Sequence, residues 1–412
     1  MENDIIKIAV IGGGPAGMMA AGTAANFGSE VFIFEQNKFL GKKLAITGKG
    51  RCNVTNNSTR EEFLENVTKN PRFLYAALNS FDTADAMSFF EGLGIELKTE
   101  RGKRVFPASD KAKDIVDAMK RYASCAKVIY EKVKSVVKKS DGTFSVKADK
   151  EYSFDRVIIA TGGKSYPLTG SDGSGYKLAM KLGHSVTELI PSLIPIESLS
   201  PLCREMQGLS LKNVAIEIKD KSGKSLYRDF GEMMFTHFGV TGPIILSASA
   251  RIRNYKIDEL TLYIDLKPAL DEKTLDNRLL SDFSKQSNKD FINSLSSLLP
   301  AKMIPPFVSL TGIDGRKKVN LITKEERRII LSKLKSLEIP LSRLRPIEEA
   351  IITSGGIEVK EINPKNMSSK IVPGLYFAGE IIDVDAYTGG FNLQIAYSTG
   401  YLAGKSAATE EI

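Results

Sequence analysis

The sequence predicts an α/β protein built on a parallel sheet, with a second, antiparallel β region inserted into it. Three observations carry that prediction. Ile5, Ile6, Ile8, Ala9, Val10 and Ile11 form an apolar run that stops abruptly at Gly12-Gly13-Gly14-Pro15-Ala16-Gly17. Two later apolar runs, 154–160 and 374–378, also end in glycine-containing turns, Thr161-Gly162-Gly163 and Gly379-Glu380. Between them the texture changes, and Val214, Ile216 and Ile218, then Leu260, Leu262, Ile264 and Leu266, alternate with other, mostly polar residues. Continuous apolar runs suit strands buried on both faces, whereas alternation suits strands with one wet face.

Taken in order, the first run is followed by residues 18–27, rich in Ala and Met as helices are, and by a second β-like run at 30–35. That is a β-α-β unit of about 30 residues. Gly12-x-Gly14-x-x-Gly17 lies at its first turn, and Glu35 ends its second strand. This is a dinucleotide fingerprint in its required context. The first Gly permits the tight turn, the second lets the backbone approach a pyrophosphate, and the third allows helix and strand to pack closely. An acid at the second strand suits an unphosphorylated ribose. The next segment, from Gly41, Lys42 and Lys43 through Gly48, Lys49, Gly50, Arg51, Cys52 and Asn53, is dense in glycine and cations. It is not a Walker A loop, because Lys43 stands where the first Gly is needed and Gly50 where Ser or Thr should follow the Lys. It reads as a loop running along a bound dinucleotide. Cys52 has no second Cys at redox-motif spacing, so it reads as a packed or cofactor-lining thiol.

The middle reads as a separate β-domain over 191–270 and 336–345, with a helical cap over 271–335 that includes a capping box at Thr323-Lys-Glu-Glu326. Pro191, Pro195 and Pro346 mark its borders, leaving 1–190 and 346–412 as one two-ended domain. In the final part, Gly379, Glu380 and Asp383 precede a helix-like stretch at 392–408. A carboxylate there can accept from ribityl hydroxyls, and the helix N-terminus can stabilise negative charge on a reduced flavin.

Composition excludes several classes. A length of 412 residues with 42% hydrophobic and 26% charged residues is that of an ordinary globular protein, and no run approaches the ~18 apolar residues of a membrane helix. The opening Met-Glu-Asn-Asp lacks the basic and apolar regions of an export signal, so a cytoplasmic protein is expected. Three scattered cysteines and two histidines, His184 and His237, cannot assemble a disulfide scaffold or the usual zinc spacings, so no metal is expected. The net charge of +8 comes in short basic runs interleaved with acids, which reads as a solvated surface and not as a nucleic-acid site.

Several segments together resemble a known family: GKKLAITGKGRCNVTN, ATGGKSYPLTGSDGSGY, PSLIPI, GEMMFTHFGVTGP, ITSGGIEV and GLYFAGEIIDVDAYTGGFNLQIAYSTG. They are similar to the bacterial flavoprotein family that includes aminoacetone oxidase and the bile-acid-inducible dienone reductase. The resemblance implies a glutathione-reductase-like FAD-binding Rossmann domain, an inserted β-barrel-like domain and a small helical cap. It also implies non-covalent FAD held by Gly12, Gly14, Pro15, Ala16, Gly17, Glu35, Gln36, Lys42, Lys43, Gly48, Gly50, Arg51, Cys52, Asn53, Thr161, Gly162, Gly163, Gly379, Glu380, Asp383, Gly390, Asn392 and Leu393. Val133, in the strand before Val136, is the expected adenine contact. His237, in Phe235-Thr236-His237-Phe238-Gly239, is the candidate catalytic acid, and His184 reads as structural.

The expected function is FAD-dependent oxidoreduction of a small organic molecule. One chemistry is reduction of a conjugated C=C in an oxo-bile acid or steroid; the other is oxidation of a small amine such as aminoacetone. A single nucleotide fingerprint favours NAD(P)H as a transient donor, or O₂, over a dedicated second nucleotide domain. The alternative from another class is a flavin-containing RNA-binding or RNA-modifying protein.

Overall fold

The computed structural model of the chain describes residues 5–410. Met1–Asp4, on which the expectation of no export signal rests, lie outside the described residues, as do residues 411 and 412. The chain divides into two compact units, Met1–Pro191 with Ile347–Ile412, and Ser192–Pro346.

The first unit is organised by a five-stranded parallel sheet. Its first strand, β1, is Lys7–Ile11; helix α1, Pro15–Asn26, leads to β2, Glu30–Phe34. The sheet order is 375–377, 156–159, β1, β2, 127–129. Two strands flanking β1 are therefore reached by connections leaving in opposite directions, the arrangement that opens a crevice at the strand ends. The register levels those ends: Ile11 pairs with Phe34 and with Ile159, and Ile159 pairs with Phe377. The chain turns that follow these four residues thus rise from one line. Helix α1 begins at Pro15, three residues before the Ala-Met stretch, because proline at the first helical turn lacks only an N–H that would be unpaired anyway.

On one side of α1 lies the long helix Phe391–Thr409. Side chains at Gly400 and Gly404 would stand 2.5 and 2.3 Å from the carbonyl oxygens of Ala16 and Ala20. Two glycines one turn apart let the helix backbones meet almost directly. A three-stranded antiparallel sheet of 135–138, 144–147 and 151–154 completes the region after the 127–129 strand.

The second unit holds a seven-stranded, wholly antiparallel sheet. Its longest hairpin pairs Ser210–Asp220 with Ser225–Thr236. Ile216 and Ile218 on that hairpin, Leu262 and Ile264 on Leu260–Asp265, and Ile330 and Leu334 on the helix Lys324–Lys335 belong to one buried cluster. Strands and helices of this unit share a single core. The Lys324–Lys335 helix starts with Thr323 accepting from the Glu326 N–H while Glu326 accepts from the Thr323 N–H.

Candidate cofactor site

The glycine turn after β1 is shaped by two contacts. Gly12 has φ +108° and would place a side chain 2.5 Å from the Ala160 carbonyl oxygen, and Gly17 would place one 1.8 Å from the Gly12 oxygen. Neither position admits a Cβ. Gly14, by contrast, would meet nothing within 4 Å, so the middle glycine borders open space. It also starts α1 without a side-chain cap and with no acid in the first turn. The N-terminus of Phe391–Thr409 has the same character, with Gly390 at φ +96°, no capping side chain and no acid in its first turn. Both helix ends therefore offer N–H groups and positive potential to an anion or an anionic ring.

At the end of β2, Glu35 is buried. Its Oε2 accepts the Gly13 N–H at 2.8 Å, and its Oε1 accepts the Asn37 N–H and Nδ2 at 2.8 and 2.6 Å. Gln36 is exposed and donates from Nε2 to the Gly170 carbonyl at 2.7 Å. Lys42 reaches the Asn37 Oδ1 at 3.3 Å.

A second knot joins three distant segments. Lys43 Nζ is 2.8 Å from both Glu380 Oε2 and Ser165 Oγ. Glu380 Oε1 accepts from Ser165 Oγ at 3.0 Å and from the Thr353 N–H at 2.9 Å, while Thr353 Oγ1 accepts the Lys164 and Ser165 N–H groups. A side chain at Gly163 would lie 3.0 Å from Glu380, and one at Gly379 would lie 2.7 Å from the Ala16 Cβ. The turns at Gly12, Thr161 and Gly379 are thus brought together beside the start of α1. Asp383 is nearly inaccessible and pairs with Lys69 at 2.7 Å. Asn392 spends its amide on the Ala386 backbone, at 3.0 and 2.8 Å, and Leu393 is half-buried beside it.

The loop 47–53 runs through left-handed backbone at Gly48, Lys49, Gly50 and Cys52. Cys52 is fully buried, and burial pushes its thiol up to about 12 against a weaker opposing hydrogen bond from Thr47. It is a packed neutral thiol. Arg51 is committed to Glu100 and Asp110, at 2.5 Å each, and lies over the Phe106 ring. Asn53 Oδ1 and Thr161 Oγ1 are buried without a hydrogen-bond partner.

One expected placement differs. Val133 is not in a strand: it lies in the connection between Lys127–Ile129 and Ser135–Lys138, with its side chain in the core. The chain joins the neighbouring strand only after Val133, where Lys134 donates its N–H to the Lys147 carbonyl just before the next strand begins. His237 is in the second unit, exposed at the tip of the hairpin between Ser225–Thr236 and Gly239–Thr241, its ring edge-on to Phe238 at 5.0 Å. His184 is buried and bound to Glu361 and Ser369. Sequence reasoning missed Asn37, Ser165 and Thr353.

The chain matches the HI0933-like protein Rossmann domain over residues 6–406. It belongs to the HI0933-like family. This HI0933-like protein is 30% identical over 409 residues to the 3-dehydro-bile acid delta(4,6)-reductase of Clostridium scindens, covering 98% of this chain and 99% of that one. It is 29% identical over 395 residues to the ribosomal RNA dihydrouridine synthase of Escherichia coli, covering 95% of each. Among solved structures it is similar to a 3-ketosteroid delta1-dehydrogenase from Sterolibacterium denitrificans, with a TM-score of 0.53 at 12% identity, covering 98% of this chain and 100% of that one. That likeness shows the shared fold. The HI0933-like chain is an FAD-dependent oxidoreductase.

The residues present fit FAD. Open space at Gly14, two uncapped helix N-termini, a buried acid at the second strand and orphaned buried oxygens at Asn53 and Thr161 are what a pyrophosphate, a ribose and a polar ring system require. Among the described residues no cluster of His, Cys, Asp and Glu is arranged to hold a metal, and no helix is long and apolar enough to cross a membrane.

Proposed function

We propose that this enzyme saturates a carbon–carbon double bond conjugated to a carbonyl, with an oxo-steroid-like acceptor as the leading substrate. The similarity to a bile-acid delta(4,6)-reductase across nearly the full length of both chains carries this reading. Chemically the relatives agree: a 3-oxo-4,6-diene and the uracil ring of uridine both present a C=C in conjugation with C=O. The chemistry that FAD would supply when bound is hydride transfer, with NAD(P)H as its transient donor in this reading. The chain's own task is to hold the cofactor, exclude water and deliver one proton to the carbon beside the carbonyl. Gly12 to Gly17 and Glu35 hold the dinucleotide in this reading, Lys43, Asn53, Thr161 to Gly163, Glu380 and Asp383 its flavin half, and His237 is the candidate proton donor.

A second reading, uridine in RNA as acceptor, is favoured by charge placement. Residues 192–346 carry 25 Lys and Arg against 18 Asp and Glu, whereas the rest of the chain carries 32 against 31. Seven of the eight net charges therefore belong to the second unit, and a polyanion is drawn to such a surface.

The deciding experiment reduces the flavin anaerobically with NADH or NADPH, then offers a 3-oxo-4,6-dienyl steroid, ribosomal RNA or O₂. Steroid that reoxidises the flavin and gains two hydrogens by mass supports the leading reading, and RNA that does so supports the second. Failure of both, with rapid reoxidation by O₂ after reduction by a small amine, replaces them with an oxidase. In the same assay His237→Gln should keep its flavin spectrum and lose about 10²–10⁴-fold in turnover if His237 donates the proton.

A further inference from the structure

Asn37 has no part in the fingerprint, yet its polar atoms meet three pieces of the cofactor site. Its backbone N–H and its Nδ2 both donate to Glu35 Oε1, at 2.8 and 2.6 Å. The same Nδ2 donates to the Thr169 carbonyl at 3.0 Å, and Oδ1 accepts from Lys42 at 3.3 Å. Beside it, Gln36 Nε2 donates to the Gly170 carbonyl at 2.7 Å. The segment 166–170, which is 132 residues away in sequence, is thereby fastened to the end of β2. Gly170 makes this possible: it has φ +105°, and a side chain there would lie 2.5 Å from Asn37 Nδ2.

The acceptor count on Glu35 then becomes informative. Each carboxylate oxygen offers about two lone-pair sites. Both sites of Oε1 are taken by Asn37, while Oε2 holds only the Gly13 N–H and keeps one site open. A carboxylate pinned at one oxygen and open at the other is preorganised, so ordering it costs little when a hydroxyl arrives.

We propose that Asn37 is a positioning residue for the adenosine ribose of the cofactor: it fixes Glu35 so that Oε2 accepts a ribose hydroxyl, and through the same amide it ties the 166–170 segment to that acceptor. The proposal rests on FAD occupying this cradle.

The test is a double-mutant cycle on flavin affinity, titrating apoprotein with FAD and separately with FMN, which lacks the adenosine. Asn37→Ala should weaken FAD roughly ten- to a hundredfold, the worth of a charge-assisted hydrogen bond, and leave FMN affinity unchanged. In a Glu35→Ala background the same change should cost little more, because Asn37 acts through Glu35. Gly170→Ala, which displaces the Asn37 amide from the opposite side, should reproduce the selective loss if Asn37→Ala folds poorly. Unchanged FAD affinity in Asn37→Ala, equal losses for FAD and FMN, or full additivity with Glu35→Ala overturns the proposal while leaving the FAD site standing. A wild-type apoprotein that binds no FAD overturns both.

Discussion

His184 is held neutral by its burial, against the pull of Glu361. Ser369 Oγ accepts the Ile371 and Val372 N–H groups, so its own proton is available for His184 Nε2 at 2.8 Å, leaving Nδ1–H for Glu361 at 3.1 Å. Burial lowers the His184 pKa and outweighs the opposing pull of Glu361. In the unfolded chain the ring titrates near its ordinary value of about 6.5. Below that pH the unfolded state binds a proton that the native state resists, so this contribution is present at neutral pH and is lost as pH falls through the lowered native value. Denaturant titrations at pH 7.5 to 5 should show stability falling with acid, with a shallower fall in His184→Gln; parallel profiles for the two proteins would refute it. Legibility at this scale followed sequence distance. Gly12, Gly17 and Glu35 could be read because their roles are set within one β-α-β unit, and Glu35 needs only to end the second strand. Ser165 and Thr353 could not, because a hydroxyl takes its role from partners 189 and 215 residues away; Asn37 sits two residues from Glu35, but its tie to Thr169, 132 residues away, leaves no local signal.

Among elements, the crossing of α1 with Phe391–Thr409 has the least slack. Gly404 faces Ala20 at a distance no methyl group fits, so Gly404→Ala must separate the helices. Overpacking of this kind costs about 1–3 kcal/mol. The shift would also move Ala16 relative to Gly379, so thermal denaturation should fall and FAD should be released faster. Ala at a surface helical glycine such as Gly92, which meets nothing within 4 Å, is the control expected to keep its flavin. An unaltered melting curve and unaltered FAD retention in Gly404→Ala would show that the crossing relaxes freely. The helix itself was legible from composition. Its glycines gave no hint of contact with the N-terminal helix, since a Gly-x-x-x-Gly spacing states only that something comes close. Val133 shows the reverse error: the family resemblance implied a strand there, whereas the pairing with 144–147 begins only at Ser135.

At the scale of the whole molecule, the cofactor site draws on both ends of its unit. Residues 1–191 alone lack the 375–377 strand, Glu380 and the Phe391–Thr409 helix, so that fragment should be unstable and colourless after purification with added FAD. A soluble fragment carrying stoichiometric FAD would mean that the N-terminal part forms the site unaided. The parallel sheet was predictable from apolar runs ending in glycine turns. The order of its strands was not, because nothing local says that 375–377 pairs with 156–159. That pairing has a consequence for biosynthesis. The 156–159 strand leaves the ribosome with one edge bare, and its partner follows only after some 200 further residues, including the whole second unit. At ~5–20 residues per second this exposes an apolar strand edge for roughly 10–40 s of synthesis. The nascent protein passes through a long interval in which it has its fingerprint but cannot hold its cofactor, and holding factors would have their greatest effect in that interval.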